Sequence, residues 1–435
     1  MRRIKQILAI LILLLVVDCA YLMYKYIEYR SNHNSFSSDL RQVLSLKAGA
    51  RPYDTQKLHD LVTKDVIASP KQAKTILDPA RLKTVISFTE QRPQIARGVL
   101  FLKTHKTGSS TIQNIILRHA ILHNQTIALP SYKASFFWPY KFQAATFVRR
   151  QPGIERYQVL THHAVFDEQE MKSIMVPDTA FITILREPVS LFRSAYQYYH
   201  LDTFCFGTPI EQFRSSHNYE TLRFEKCPRT KMPVRSLQAH DLGLSATDME
   251  NEDKIRSLIS QIDRTMTLVL ITELFDESLI LLKKRLNWAT KDIVYFRQNA
   301  MQSSLKNNHY TDAENAEILE FNKADQLLYD HFHAKLQREL KAEFTTKQLE
   351  TELAELHAMH DKYYDNCVQQ IANASYFMDE ENKRQYQVFR PYGQQTLGYV
   401  LKQESLQNIE CRLLALPELA LTHYLKSIAV HGYPS

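Results

Sequence analysis

The segment 101–118, FLKTHKTGSSTIQNIILR, has the residue types of a phosphate-binding loop. Lys106 stands before the only glycine of the segment, Gly108, and three hydroxyl residues follow that glycine. The ATP-binding loop G-x-x-x-x-G-K-[ST] places its lysine after the glycine instead. Backbone N–H groups at a helix N-terminus attract an anion. The predicted phosphate contacts are Lys103, Lys106, Thr107, Gly108, Ser109, Ser110 and Thr111.

A second anion site is predicted in ILREPVSLFRSAY, residues 184–196. Arg186 ends an apolar run, and Ser194 lies about two turns into the helix predicted to follow. A guanidinium offers a fork of donors to a phosphate, and a hydroxyl adds another. A nucleotide that carries phosphates at both its 5′ and 3′ ends would use this pair together with the loop.

Apolar runs precede these polar segments and predict the strands that position them. The predicted strands lie in GVLFLKT (98–104), YQVLTHH (157–163), AFITILREP (180–188) and TLVLIT (267–272), and helical patterns follow at 110–122, 188–199 and 273–288. Unbroken apolar strands that alternate with helices predict an α/β fold, a parallel sheet covered by helices on both faces. Ligands of such sheets bind beyond the carboxyl ends of the strands. From about residue 300 the chain is predicted to be helix-rich.

These motifs together resemble a known family. A strand, KTHKTGSST and a helix, followed by LREPVSLFRSAY, resemble the sulfotransferases that use 3′-phosphoadenosine 5′-phosphosulfate (PAPS). With LFDESLILLKKRLNW and DIVYFRQNA, they resemble the galactose 3-O-sulfotransferase family, which includes galactosylceramide sulfotransferases, over residues 95–425. The resemblance implies a P-loop-like Golgi enzyme that transfers a sulfuryl group from PAPS to the 3-hydroxyl of galactose in a glycolipid or glycan. It also implies that the loop holds the 5′-phosphosulfate and that Arg186 and Ser194 hold the 3′-phosphate.

The acceptor hydroxyl needs a base, and a histidine is suited to take its proton. His105, His162 and His163 stand at predicted strand ends. The resemblance favours His163 in THHAVFD as the base, because related enzymes carry a histidine followed by x-x-[FV] there. His105 is the second candidate, for catalysis or donor contact, and His162 is a supporting residue. Lys106 would stabilise the departing phosphate, and no metal is expected because fixed donors and a lysine replace the cation.

The N-terminus predicts a membrane anchor. MRRIKQ is basic, and the apolar character that follows extends far enough to span a bilayer. A cleaved signal peptide is the alternative, but cleavage after Ala20 would put Asp18 at the −3 position, where a small neutral residue is needed. The predicted order is a cytoplasmic tail (1–6), a transmembrane signal anchor (7–27), a lumenal stem (28–95) and a lumenal sulfotransferase domain (96–435), as a single-pass type II protein of the Golgi membrane.

The net charge indicates which class of ligand the protein binds, and the cysteine content indicates its cellular compartment. The net charge of +7 suits an anionic ligand, but no run of five or more Lys/Arg marks a nucleic-acid arm, so no nucleic acid is expected. Four cysteines lie outside the anchor, and their closeness in sequence suggests the pairs Cys205–Cys227 and Cys367–Cys411. Buried free thiols are the alternative. A homo-oligomer is compatible with the sequence.

Two other functions fit the predicted topology. A Golgi glycosyltransferase of the metal-dependent kind usually carries a D-x-D pair, and no two aspartates of this chain are two positions apart. A non-catalytic glycan-binding protein on the same fold is the other alternative. The joint presence of Lys106, Arg186, Ser194 and His163 argues against it.

Overall fold

The computed structural model of the chain describes residues 98–215, 233–298, 311–391 and 396–431. The predicted tail, anchor and stem lie outside these ranges. Within them, no helix has the length and apolar character needed to cross a bilayer.

The central sheet has four parallel strands in the order β2–β1–β3–β4. Every residue in these strands is buried, as unbroken apolar runs predict for a sheet covered on both faces. The predicted α/β architecture is therefore confirmed. The strands are β1 (Val99–Leu102), β2 (Val159–Leu160), β3 (Ala180–Leu185) and β4 (Leu268–Ile271).

The strand order creates a crevice between β1 and β3. Strand β2 pairs with one side of β1, and the chain then crosses over so that β3 pairs with the other side. In open α/β sheets, ligands bind at such a reversal, beyond the carboxyl ends of the strands. The KTHKTGSST loop follows β1 and the LRE segment ends β3, so both predicted anion sites open onto this crevice.

Two helices begin at the crevice. Helix α1 (Ser109–Leu122) follows Gly108, whose φ of 76° lies in the left-handed region that glycine adopts without steric cost. Helix α4 (Pro188–Tyr198) starts with its proline, and the Glu187 carboxylate accepts two backbone N–H groups of the first turn. Helix α4 therefore begins at the predicted residue, and helix α1 begins one residue before the predicted start at 110.

Further α-helices of the described residues cover the sheet and build the C-terminal part. They are α2 (Ala144–Phe147), α3 (Glu168–Ile174), α5 (Leu237–Asp241), α6 (Glu252–Thr265), α7 (Phe275–Leu286), α8 (Thr290–Ile293), α9 (Asp312–Phe321), α10 (Lys323–Glu343), α11 (Thr346–Cys367), α12 (Lys383–Tyr386), α13 (Ile409–Ala415) and α14 (Glu418–His431).

The helix-rich prediction for the C-terminal part missed one small sheet. Strands β5 (Val368–Asn373) and β6 (Leu397–Leu401) form an antiparallel pair. Strand β5 reads VQQIAN and is mostly exposed, so its sequence has neither the apolar run nor the alternation of a typical strand. Pairing with the apolar β6 determines its conformation, and that pairing is not visible in local sequence.

The predicted Cys367–Cys411 disulfide is confirmed. Both cysteines are buried, and the bond joins the end of α11 to α13 across a separation of 44 residues. Closing a loop of that length stabilises the fold by about 4 kcal/mol on a chain-entropy argument. Cys205 is also disulfide-bonded, while its predicted partner, Cys227, lies outside the described residues.

Candidate active site

Hydroxyl groups stabilise the conformation of residues 103–111, the predicted phosphate-binding loop, called the phosphate loop below. Thr104 donates to a carbonyl of β3 at 2.6 Å, and Ser109 donates to the carbonyl of Thr104 at 2.5 Å. Thr107 Oγ1 lies 2.8 Å from Thr104 Oγ1, and Thr111 Oγ1 accepts a backbone N–H at 3.0 Å. No side chain of the described residues caps the first turn of α1. Its backbone N–H groups are therefore the natural anion donors of this loop.

Lys106 and Arg186 bring two cations to the crevice. Arg186 donates from Nη1 to the carbonyl oxygen of Lys106 at 3.0 Å, which joins the loops that follow β1 and β3. The Lys106 ammonium lies 3.5 Å from the ring centre of Tyr198 on α4. Burial, followed by the charges of Arg186 and Lys103, lowers the pKa of Lys106 to about 7. An anion bound here would relieve this repulsion between like charges.

Gln238 fixes the backbone of Arg186. Its side-chain oxygen accepts the Arg186 N–H at 2.7 Å, and its side-chain nitrogen donates to the Arg186 carbonyl at 3.0 Å. Ser194, the other residue of the predicted 3′-phosphate pair, lies half-buried on α4. The structure thus places Arg186 against the phosphate loop and Ser194 on the helix that starts beside it.

His105 is paired with a buried carboxylate. Its Nδ1 lies 3.0 Å from both Asp241 oxygens, and its backbone N–H donates to Asp241 at 2.8 Å. The Trp138 indole N–H also donates to Asp241, at 2.7 Å, and the Trp138 ring lies 4.2 Å from the His105 ring. Because a carboxylate only accepts hydrogen bonds, Nδ1 carries the proton and Nε2 holds the lone pair of a neutral His105.

Lys103 is held by three acceptors instead of facing open solvent. Its ammonium donates to Glu418 Oε2 at 2.6 Å, to Ser110 Oγ at 3.1 Å and to His163 Nε2 at 3.2 Å. An ammonium has three N–H groups, so all of them are used. Burial opposes ionisation of Glu418, but the Lys103 charge outweighs it and lowers the pKa of that carboxyl. Glu418 begins α14 and therefore anchors this helix to the phosphate loop.

His163 stacks on His105, whereas His162 contacts Thr422. The His105 and His163 ring centres are 3.9 Å apart with an angle of 16° between the planes. His163 donates from Nδ1 to the carbonyl of Lys103 at 3.0 Å. Burial, followed by the charges of His105 and Lys103, holds the pKa of His163 well below its ordinary value. His162 is fully buried against Thr422 at 3.0 Å, and burial lowers its pKa to about 3.

Sequence reasoning missed Asp241 and Glu418, the two carboxylates of this cluster. Asp241 is 136 residues from His105, and Glu418 is 315 residues from Lys103. Neither belongs to a recognisable motif, so spacing offered no signal. A buried histidine and a buried lysine each require a compensating partner, and that requirement was the only available hint.

Comparisons with known proteins agree with this arrangement. The family model of galactose-3-O-sulfotransferase matches residues 1–429. Galactose-3-O-sulfotransferase 3 of Mus musculus is 32% identical over 350 residues, which cover 75% of this chain and 77% of that protein. Galactose-3-O-sulfotransferase 2 of Homo sapiens is 31% identical over 340 residues, covering 74% and 81%. Galactosylceramide sulfotransferase of Bos taurus is 29% identical over 344 residues, covering 75% and 77%.

Among solved structures, a sulfotransferase from Alicyclobacillus acidocaldarius is similar with a TM-score of 0.31 and 15% sequence identity. The match covers 55% of this chain and 96% of that chain.

Proposed function

Because the chain belongs to the galactose-3-O-sulfotransferase family and is a sulfotransferase, we propose that it transfers a sulfuryl group from PAPS to the 3-hydroxyl of a galactose in a glycolipid or glycan. One observation carries the proposal. The crevice between β1 and β3 brings together a helix N-terminus, the cations of Lys106 and Arg186, and the stacked rings of His105 and His163. The alternatives of a glycosyltransferase and a non-catalytic protein do not fit the family.

The donor would occupy the loop and the start of α4. Backbone N–H groups of the first turn of α1, together with Lys106, would hold the 5′-phosphosulfate. Arg186 and Ser194 would hold the 3′-phosphate. The hydrogen bond from Arg186 to the Lys106 carbonyl supports this assignment, because it fixes the two anion sites next to each other.

His105 is the residue whose contacts best suit a base. Asp241 fixes its tautomer, so Nε2 can accept the proton of the galactose hydroxyl while the new S–O bond forms. The bond between sulfur and the 5′-phosphate oxygen breaks in the same step, and the charge left on that oxygen is stabilised by Lys106. The resemblance favours His163 for this role, but its Nε2 accepts a hydrogen bond from Lys103. His163 therefore positions Lys103 and packs against the base.

The acceptor galactose would lie against the segment 131–141. This segment carries Trp138 to His105 and Asp241, and it exposes three neighbouring aromatic side chains. Aromatic rings offer an apolar face at low entropic cost, which suits the apolar face of a galactose ring. The exposed residues are Tyr132, Phe137 and Tyr140.

The choice of donor can be tested directly. The full chain should release 3′-phosphoadenosine 5′-phosphate from PAPS when a galactoside is present. Adenosine 5′-phosphosulfate lacks the 3′-phosphate and should be a poor donor, because it cannot make the proposed phosphate contacts with Arg186 and Ser194. Equal rates with the two donors would contradict the proposed 3′-phosphate site.

Arg186→Ala should weaken binding of 3′-phosphoadenosine 5′-phosphate by roughly 10–100-fold, since a charge-assisted hydrogen bond contributes about 1.5–3 kcal/mol. Binding of adenosine 5′-phosphate should change much less. Isothermal titration with both nucleotides measures the difference. Arg193→Ala is a matched control, because Arg193 lies on the same helix α4 but its guanidinium contacts Asn315. An equal loss for both nucleotides would remove Arg186 from the 3′ site.

We also propose that the chain is a single-pass type II protein of the Golgi membrane with its catalytic domain in the lumen. The basic and apolar N-terminus supports this, and the Cys367–Cys411 disulfide is typical of an oxidising compartment. Asn124 and Asn373 are exposed and lie in N-x-[ST] triplets. In sealed Golgi vesicles, we expect protease to spare the catalytic domain, and glycosidase added after detergent to reduce the mass of that domain. A domain digested without detergent, or secreted after cleavage near Ala20, would contradict this topology.

A further inference from the structure

His119, His123 and Asp292 form a cluster that sulfuryl transfer does not use. His119 lies on the last turn of α1, His123 is the residue that caps its C-terminus, and Asp292 lies on α8. One ligand atom from each residue lies within 4.8 Å of the other two. At a rise of about 1.5 Å per residue, His119 and His123 are about 15 and 20 Å along α1 from the phosphate loop at its other end. The cluster is therefore separate from the candidate active site.

Hydrogen bonds leave acceptor atoms free at each of the three side chains. His123 donates from Nδ1 to the carbonyl of His119 at 2.9 Å, so its Nε2 carries the lone pair. One Asp292 oxygen accepts the Ala289 N–H at 2.8 Å, and the other lies 3.8 Å from His119 Nδ1, too far for a hydrogen bond. His119 is only 8% exposed, yet its Nδ1 has no hydrogen-bond partner among the described residues. A buried nitrogen without a partner points to a missing ligand.

The surroundings hold the cluster in place and leave room for an ion. His119 is stacked between His123 and Trp288, with ring centres 3.9 and 4.0 Å away. The cavity that the cluster lines has a volume of about 30 Å³, enough for an ion with a bound water. Arg118 directs its guanidinium to the carbonyls of Asp292 and Val294, at 2.7 and 2.5 Å. Nη2 of Arg118 is therefore engaged with backbone oxygens, while its Nη1 has no hydrogen-bond partner among the described residues.

We propose that His119, His123 and Asp292 bind one divalent transition-metal ion, best fitted by Zn²⁺, at the C-terminal end of α1. Two imidazoles and a carboxylate suit Zn²⁺ better than Ca²⁺ or Mg²⁺, which prefer oxygen ligands alone. The backbone carbonyl that fixes the His123 ring is a usual outer contact of a metal-binding histidine. Water would complete a tetrahedral site. The ion would link α1 to α8 and so stabilise the helix that follows the phosphate loop.

The sequence contains a signal for this site in HAILH, residues 119–123, where two histidines four positions apart share one helix face. The expectation that no metal is needed concerns the transfer step, and the proposed ion takes no part in that step. The aspartate that completes the set comes from a distant helix.

Zinc binding by the metal-free full-length chain tests the proposal. We expect isothermal titration to show one Zn²⁺ per chain, and Co²⁺ to give the visible absorption of a tetrahedral site. His119→Phe keeps the ring stack and removes both nitrogens, while Asp292→Asn keeps the shape and removes the charge. Each should weaken Zn²⁺ binding at least tenfold. At a hundredfold excess over its Kd, Zn²⁺ should raise the unfolding midpoint of the unaltered chain by a few degrees.

His357→Phe is the matched control, because His357 contacts Asp276 at 2.9 Å but belongs to no group of three potential metal ligands among the described residues. It should bind Zn²⁺ as the unaltered chain does. The proposal is overturned if the unaltered chain takes up no Zn²⁺, a result that does not depend on how the variants fold. It is equally overturned if His119→Phe, Asp292→Asn and His357→Phe all bind with the same affinity as the unaltered chain.

Discussion

Replacing His105 with alanine should lower the turnover of sulfuryl transfer by about 10²–10⁴-fold, the usual cost of removing a general base. The affinity for 3′-phosphoadenosine 5′-phosphate should stay nearly unchanged, because in the proposed mechanism the lone pair of His105 serves the acceptor hydroxyl. Steady-state rates with PAPS and a galactoside, measured beside nucleotide binding, separate the two effects.

Two companion variants distinguish the base from its neighbours. Asp241→Asn should lower turnover at least tenfold, because an amide no longer fixes the His105 tautomer as a carboxylate does. His163→Ala should cost less than His105→Ala, since its Nε2 is engaged with Lys103 and its pKa is held low by burial and neighbouring charges. If His163→Ala abolishes turnover and His105→Ala does not, His163 is the base, as the family resemblance implies.

Lys106→Ala should lower turnover by about 10²–10³-fold, the usual cost of losing one donor to a developing negative charge. Lys106 carries a positive charge in the loop that precedes α1. Arg186 donates a hydrogen bond to the backbone carbonyl of Lys106. Lys172→Ala, on an exposed face where the side chain pairs with Glu168, is the control and should leave turnover unchanged. Rates of PAPS consumption measure both variants, and a Lys106→Ala enzyme with near-normal turnover would remove Lys106 from the mechanism.

The lowered pKa of Lys106 predicts that nucleotide affinity depends on pH. In the free enzyme the pKa is lowered to about 7, first by burial and then by the charges of Arg186 and Lys103. A bound anion favours the protonated lysine and raises this pKa, so binding takes up a proton above pH 7. Affinity for 3′-phosphoadenosine 5′-phosphate should therefore fall as pH rises above about 7, by up to tenfold per unit. Lys106→Arg should remove this dependence, and equal slopes for the two proteins would contradict the assignment.

The sheet and the phosphate loop were predictable because their signals are local. Unbroken apolar runs placed β1, β3 and β4, and Gly108 with its hydroxyl residues placed the loop. Proline at the start of α4 marked that helix correctly. The Cys367–Cys411 pair followed from closeness in sequence.

What the sequence did not reveal depends on contacts between distant residues. Nothing near Asp241 or Glu418 indicates that they pair with His105 and Lys103. The hydroxyl of Ser109 was expected at the phosphate, but it donates to the loop's own backbone. Side-chain direction in a tight loop is set by which carbonyls lie within reach, and residue type alone does not determine it.

The position of the sulfate ester tests the central claim most directly. The full chain is incubated with PAPS and, separately, with galactosylceramide and a galactose-terminated oligosaccharide, and the products are examined by nuclear magnetic resonance. The account predicts one sulfate at the 3-oxygen of galactose in at least one product, with one 3′-phosphoadenosine 5′-phosphate released per sulfate. Sulfate at another hydroxyl, or no transfer to either acceptor by a folded chain that binds the nucleotide, would contradict it.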